Sequence, residues 1–182
     1  MVRHGPMQHR VAIRADIPAI TDLMARASDA LQRPFLTPAQ VAASRHFMGL
    51  DTQLIADGTY FVIEDAGRIV GCGGWSRRAT LFGGDASAVA RETRLLDPTR
   101  DPARVRAMYT DPDRARRGIG RRMLAVCEDA ARAAGFTRVE LMATLSGEPL
   151  YRACGYVPIE AVMAAADGIE PVPMVRMGKG LR

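Results

Sequence analysis

The residues best equipped for chemistry lie in one stretch, 108–122, which reads MYTDPDRARRGIGRR. Arg114, Arg116, Arg117, Arg121 and Arg122 put five positive charges into nine residues that contain no acid, with Gly118 and Gly120 set among them. The first turn of an α-helix leaves about four amide N–H groups unpaired at the positive end of its dipole. Glycine removes side chains that would keep a phosphate off those amides, and arginine adds charge and forked donors suited to phosphate oxygens. The pattern is an anion site at a helix N-terminus, suited to a pyrophosphate. Arginine at that end opposes the dipole, so without an anion the cluster is mildly unfavourable. Two other phosphate-binding patterns are excluded. No G-x-x-x-x-G-K-[ST] string occurs, and Met123 stands where G-x-G-x-x-G needs its third glycine.

Positioning these residues takes a strand before the Asp111-Pro112-Asp113 turn and a helix after it. Residues 104–110 alternate, which puts Val105, Ala107 and Tyr109 on one expected face. A helix over 118–134 carries Ile119, Met123, Ala130 and Ala134 near one apolar stripe, with Cys127 between and Gly135 closing it. A strand at 139–143 completes a strand–helix–strand unit, hence a parallel crossover. Upstream, a short strand at 11–13 precedes a helix with Asp16 as N-cap, Pro18 in its first turn, and Ile20, Leu23, Met24, Ala27 and Leu31 on one face. That helix stops at Pro34. Thr37-Pro38-Ala39-Gln40 is a capping box for a second helix, expected to run past Phe47.

The runs 59–64 and 68–76, joined by Asp65-Ala66-Gly67, read as a hairpin whose Gly71, Gly73 and Gly74 mark a bulge or a close backbone approach. Residues 77–103 lack periodicity apart from an expected helical turn at 91–96. A gap of that length in a compact domain is usually functional or mobile, here a cover over a substrate or a surface excursion. A short helix at 150–154, ended by Gly155, and strands at 156–161 and 173–177 complete an α+β order around one mixed sheet.

At 182 residues the chain has one domain's length, with 1–10 read as a tail and 11–182 as the domain. Hydrophobic residues make up 48% and charged residues 25%, which excludes disordered, collagen-like and rod-like classes. No run approaches the roughly 20 apolar residues of a membrane span, and the first ten residues lack the apolar core of a signal peptide. A cytoplasmic protein with no membrane partner is expected. Cys72, Cys127 and Cys154 are too far apart and too apolar in setting for a disulfide framework or a zinc site, and His4, His9 and His46 lack ligand spacing, so no metal is expected. The net charge of +5 is local: without the five clustered arginines, the remaining 20 basic residues balance 20 acidic ones. That fits one compact anionic ligand and argues against a nucleic-acid surface.

The stretch 108–122, together with Leu150-Tyr151-Arg152-Ala153-Cys154-Gly155-Tyr156, resembles the GNAT superfamily of N-acetyltransferases. That family's [Q/R]-x-x-G-x-[G/A] signature opens a helix behind a strand and an Asp/His-Pro turn. It is matched by Arg116, Arg117, Gly118, Ile119 and Gly120 behind Asp111-Pro112. The second segment is similar to the family's L/F-Y-x-x-x-G-F/Y, and the likeness in strand order covers about residues 11–178. One position departs: the Gln/Arg place falls on Ala115, with an arginine one residue earlier at Arg114.

The resemblance implies an α/β/α sandwich, a twisted mixed sheet of about six or seven strands with helices on both faces. It implies acetyl transfer from acetyl-CoA to a primary amine of a small molecule or peptide by direct attack, with no metal. It further implies that the backbone of Met108 and Thr110 pairs with the pantetheine arm, with Tyr109 between them in the cofactor-binding set. The amides of Arg116, Arg117, Gly118, Ile119, Gly120 and Arg121 would hold the pyrophosphate, while the Arg116, Arg117, Arg121 and Arg122 side chains reach the phosphates. Thr144 takes the place of an asparagine that contacts the cofactor in many relatives. Tyr151 matches a tyrosine that protonates the departing thiolate, which a phenol with pKa near 10 can do at neutral pH.

Backbone N–H groups from 104–110 could polarise the carbonyl. The same strand holds no carboxylate, so the general base is a water relay or an acid from elsewhere, with Glu148, Glu92 and Asp85 as candidates. Trp75 either lines the acceptor site or packs. A homodimer is common among similar proteins. A non-catalytic acyl-CoA-binding regulatory module is the rival reading, kept open by the missing carboxylate and by Ala115.

Overall fold

The computed structural model describes residues 7–182. A single seven-stranded sheet runs in the order β1-β2-β3-β4-β5-β7-β6. Its strands are β1 (Gln8–Val11), β2 (Tyr60–Asp65), β3 (Arg68–Ser76), β4 (Ala103–Thr110), β5 (Arg138–Thr144), β6 (Val157–Ala166) and β7 (Ile169–Gly180). Among the described residues only β4 and β5 are parallel, connected by helix α4 (Ile119–Ala133); all other neighbours are antiparallel. Helices α1 (Ile17–Gln32) and α3 (Thr52–Ala56) cover one face, burying Ile20, Leu23, Met24 and Leu54 against Tyr60, Val62 and Cys72. On the other face α4 buries Ile119, Met123, Leu124, Cys127 and Ala131 against Ile63, Val70, Val105 and Leu141. Helix α2 (Pro38–Ser44) packs through Val41 on Val172 and Met174 of the β6–β7 hairpin, and α5 (Glu148–Ala153) follows β5. This is the mixed sheet with helices on both faces that the sequence implies.

Local differences have local causes. β1 begins at Gln8, inside the expected tail, because it pairs with β2 and because Arg10 bridges Asp16 (2.7 Å) and Glu64 (2.6 Å). The rest of that tail, residues 1–6 with His4, lies outside the described residues. The Thr37–Gln40 capping box forms, with Gln40 N–H donating to Thr37 Oγ1 (3.2 Å) and Thr37 N–H to Gln40 Oε1 (3.1 Å). However, α2 ends at Ser44. The Ser44 hydroxyl donates to the Val41 carbonyl (2.7 Å), a local bond that competes with the helical backbone, and the chain tightens into a turn through Phe47. Residues 91–96 are extended, folded back on 77–80 by Ala79 N–H to Arg94 O (2.9 Å) and Leu96 N–H to Arg77 O (2.7 Å). The final hairpin is longer than expected; Pro158, which lowers the strand signal, sits on β6, an edge strand where a missing donor is tolerated.

Two features of β3 and β4 prepare the site. A Cβ on Gly71 would stand 2.5 Å from Ile119 Cγ2, and one on Gly73 would stand 2.8 Å from Met123 Cγ, so these glycines let α4 lie directly on the sheet. In β4 the alternation breaks. Tyr109 faces Cys72 while Arg106 faces Gly74, so β4 holds one extra residue, and Ala107 takes a left-handed φ of 49°. Val105 therefore joins the α4-side core whereas Ala107 and Tyr109 pack on the α1 side, not on one face as the alternation predicts. The Tyr60 hydroxyl fixes the bulge by donating to the Ala107 carbonyl (2.8 Å).

Candidate active site

β4 and β5 pair only at Ala103–Val139 and Arg104–Glu140, and beyond that point they part. The parting opens a cleft of about 710 Å³, a volume typical of small-molecule sites. The free edge of β4, the N-terminal region of α4, α5, the C-terminal end of α1 and the 81–83 tip of the long loop bound it.

One half is built from backbone and positive charge. Asp111 N–H donates to Val70 O on β3 (2.9 Å). Backbone groups alternate sides along a strand, so those of Thr110 and Met108 turn the other way, toward the space β5 has left. After Thr110 the chain turns on buried Asp111, whose carboxylate receives Arg26 of α1 (3.0 Å) and the Asp113 amide (3.0 Å). Burial works to raise that carboxyl's pKa, but Arg26, the Asp113 amide and Arg68 together hold it below the ordinary value. Arg116 (φ 66°) and Gly118 (φ 79°) are both left-handed, and Gly118 is the residue from which α4 springs. A left-handed backbone suits glycine and strains any other residue. None of the amides over 116–121 has a backbone partner among the described residues. The side chains of Arg116, Arg117, Arg121 and Arg122 make no ion pair among the described residues either. Arg114 differs from them: its guanidinium pairs with Asp65, which is buried at the turn between β2 and β3.

Across the mouth stands α5. Its Tyr151 is 8% exposed, lines the cleft and packs on Tyr156 with ring centroids 5.8 Å apart. Burial pushes the Tyr151 phenol well above its ordinary 10.0, so it is a protonated O–H donor at neutral pH. Thr144 Oγ1 lies 3.0 Å from Ser146 Oγ and accepts the Gly147 N–H (3.2 Å), which shapes the turn into α5.

The other half is apolar. Leu31 comes from the end of α1 and Phe35 from the turn after it, Phe47 and Met48 from the turn after α2, Leu81 and Phe82 from the long loop, and Met142 and Met174 from β5 and β7. A buried arginine holds the loop in place. Arg106, 4% exposed, gives Nη2 to Asp51 (3.0 Å) and to the Gly83 carbonyl, and Nη1 to the Thr80 carbonyl (3.0 Å). Burial pulls its pKa down and Asp51 pulls it back. Gln32 lies in the same wall, 4% exposed, and its side-chain oxygen has no partner among the described residues. An unpaired buried amide oxygen costs about 1–3 kcal/mol.

The cleft thus gathers Met108, Tyr109, Thr110, Arg116, Gly118, Ile119, Gly120, Arg121, Thr144 and Tyr151, while Arg117 and Arg122 stand outside its lining. The Tyr109 phenol turns to the α1-side core, where burial raises its pKa. The candidate bases are elsewhere. Glu148 pairs with Arg152 (2.7 Å), Glu92 with Arg94 (3.3 Å), and Asp85 accepts the Thr52 N–H (3.2 Å); none lines the cleft. Trp75 packs edge-on to Phe136 (5.9 Å), outside the cleft lining. Cys72, Cys127 and Cys154 are free thiols, and burial pushes the Cys72 thiol up to about 12.

Sequence reasoning missed the apolar wall and Gln32, whose residues come from separate elements and carry no shared motif. It also missed Arg106, although an arginine among the apolar residues of a central strand is a signal that it has a buried partner. Among the described residues, no group of three or more His, Cys, Asp or Glu could hold a metal ion, and no helix is long and apolar enough to cross a membrane.

Comparison with known proteins places this fold in a family. Residues 56–158 match the family model described as the acetyltransferase (GNAT) domain. No protein of curated function matches the chain. Among solved structures, a GCN5-related N-acetyltransferase from Rhodopseudomonas palustris superposes with a TM-score of 0.72 at 17% identity, covering 100% of this chain and 99% of that one. The yncA structure from Salmonella typhimurium, described with its cofactor acetyl-CoA, gives 0.64 at 19% identity over 98% and 95% of the two chains. A ribosomal-protein-alanine N-acetyltransferase from Brucella melitensis gives 0.61 at 20% identity over 96% and 99%. At these identities the likeness is one of fold.

Proposed function

We propose, from the premise that the chain belongs to the GNAT acetyltransferase family and is an acetyl-CoA-dependent N-acetyltransferase, that it acetylates a primary amine of a small molecule or peptide by direct attack in a ternary complex. The observation that carries this is the run of unpartnered amides over 116–121, at one end of a cleft along the free edge of β4. In this reading those amides hold the cofactor's pyrophosphate, with Arg116 and Arg121 beside it and Arg117 and Arg122 drawing phosphate from outside the lining. Ala115 replaces the usual Gln/Arg at no cost to the backbone donors. The Met108 and Thr110 backbone pairs with the pantetheine arm as an added strand, and Thr144 supports the arm from β5. A β4 N–H near the bulge at Ala107 polarises the thioester carbonyl.

The amine nitrogen attacks the carbonyl carbon, an N–C bond forms and the C–S bond breaks. Tyr151 gives its phenolic proton to the departing sulfur, and the proton lost from nitrogen returns to the phenol through solvent. No Asp, Glu or His lines the cleft among the described residues, so the amine either enters neutral or loses its proton to a water relay. One continuous sheet serves this one site, which supports reading the chain as a single domain that starts at β1, three residues before the expected boundary at 11. The free thiols support a cytoplasmic location.

The test is amine-dependent release of the coenzyme A thiol by wild type and Tyr151→Phe. Loss of the acid is expected to lower kcat by about 10²-fold and to leave acetyl-CoA affinity unchanged. Equal kcat values would remove Tyr151 from the chemistry, and slow hydrolysis without amine dependence would favour the non-catalytic module.

A further inference from the structure

The apolar half of the cleft narrows the acceptor, provided the acetyl-transfer reading of the other half holds. We infer that the acceptor is a small primary amine on an uncharged apolar body, an arylalkyl or branched alkyl monoamine. The partly exposed wall around it is Leu31, Phe35, Met48, Leu81 and Phe82, backed by buried Phe47, a surface that gains by covering hydrocarbon. Among the described residues the cleft is lined by no Asp, Glu, His or Lys. The second ammonium of a polyamine, or the several of a basic sugar, would lose water there and find no counter-charge. An amino acid fares no better. Arg106 is the cation of this half, and its Nη1 and Nη2 are committed to the Thr80 carbonyl, the Gly83 carbonyl and Asp51, so a substrate carboxylate meets no free guanidinium end.

Gln32 supplies a buried polar group in that wall. Its amide is 4% exposed in the cleft wall with an unpartnered oxygen, and an amide oxygen is an acceptor for an N–H. The incoming amine carries such a donor, and rotation of the amide end brings the oxygen to it. The same apolar wall answers the missing general base. Burial disfavours the charged form of an amine and lowers its pKa, so the nitrogen reaches the carbonyl with its lone pair free. As N–C forms and C–S breaks, the nitrogen's surplus proton leaves to water.

The experiment uses the full chain with acetyl-CoA and a panel of amines, following thiol release and the mass of the acetylated product. Acetyl-CoA affinity is measured separately by calorimetry. The probes are phenethylamine and 3-methylbutylamine against 1,4-diaminobutane, spermidine and lysine. Phenethylamine is expected to show a kcat/KM at least about 100-fold above diaminobutane and lysine. Phe82→Asp is expected to raise the phenethylamine KM about tenfold or more and to shrink that ratio, with acetyl-CoA affinity unchanged. Should Phe82→Asp not fold, Phe35→Ser at the 48%-exposed rim serves the same comparison. Gln32→Leu raises KM for both apolar amines and leaves acetyl-CoA affinity alone. Equal or better use of the charged amines, or bound acetyl-CoA with neither apolar amine acetylated, overturns the inference and leaves the cofactor site standing. Failure of wild type to bind acetyl-CoA overturns the cofactor reading and this inference with it.

Discussion

The two halves of the cleft are built on different principles. The half proposed to bind the cofactor's phosphates presents main-chain amides at the start of α4, set by two left-handed residues and accompanied by arginines that make no ion pair among the described residues. The apolar half uses side chains from α1, the turn after α2, the long loop, β5 and β7, with Arg106 and Asp51 as the clasp. Main-chain recognition tolerates many side chains around it, so Ala115 is compatible with it. Side-chain recognition changes whenever one of its contributors does. A fold of this kind can therefore keep one donor and exchange acceptors by altering a loop and a few wall residues.

The contrast can be broken most forcefully at Arg106. Arg106→Ala removes one member of a buried pair and leaves Asp51 to Arg91. A loss of about 3 kcal/mol in stability is expected, read as a lowered Tm. In the folded fraction the amine KM should rise sharply while acetyl-CoA affinity changes little; a matched loss of both would mean the halves are not separable. The cofactor half gives the next largest effect. Arg116→Ala with Arg121→Ala is expected to weaken acetyl-CoA binding about tenfold, since each charge-assisted contact is worth more than a neutral one, and to flatten the salt dependence of Kd. Arg114→Ala sharpens the same comparison: it should cost stability through Asp65 and leave Kd within about twofold. A tenfold weakening by Arg114→Ala would return that residue to the phosphate site.

The smallest effect is one of pH. The Asp111 carboxyl is held below its ordinary 3.8 in the folded chain, with Arg26 its nearest cation. Its stabilisation is therefore fully present above about pH 4 and is lost as pH falls through the depressed folded value. In acid denaturation, Arg26→Ala should reduce the loss of stability below pH 4 relative to wild type, since less of it remains to lose. An unchanged acid limb would detach α1 from the turn that launches the loop.

The framework of the arginine-rich half was legible in the sequence because its causes are local. A strand, a Pro turn, Gly118 and the helix start lie within one 15-residue stretch, and unpaired amides follow from any helix N-terminus. What the stretch could not disclose was Arg114, whose partner Asp65 lies 49 residues away. Nor could it disclose the bulge at Ala107, which separates Val105 from Tyr109 although the letters alternate evenly. The end of α2 was misplaced for a similar reason: a hydroxyl-to-carbonyl bond at Ser44 outweighed continued helical spacing. The apolar half left no sequence signature, since Leu31, Phe82 and Met174 meet only through the tertiary fold. The sheet was legible where hydrophobic alternation is strong, and less so in β6, whose Val157, Ile159 and Met163 face outward.

The proposed reaction depends on cofactor binding by the amides at the start of α4. Calorimetric titration of acetyl-CoA into wild type and Gly118→Glu tests it most directly. A Cβ at Gly118 meets no atom within 4 Å, so the variant can fold with only the strain of its left-handed φ while adding a carboxylate at the start of α4, where the proposal puts phosphate. Micromolar binding by wild type and none by a folded Gly118→Glu is the predicted result. Equal binding by the two proteins, or no binding by wild type, would contradict it.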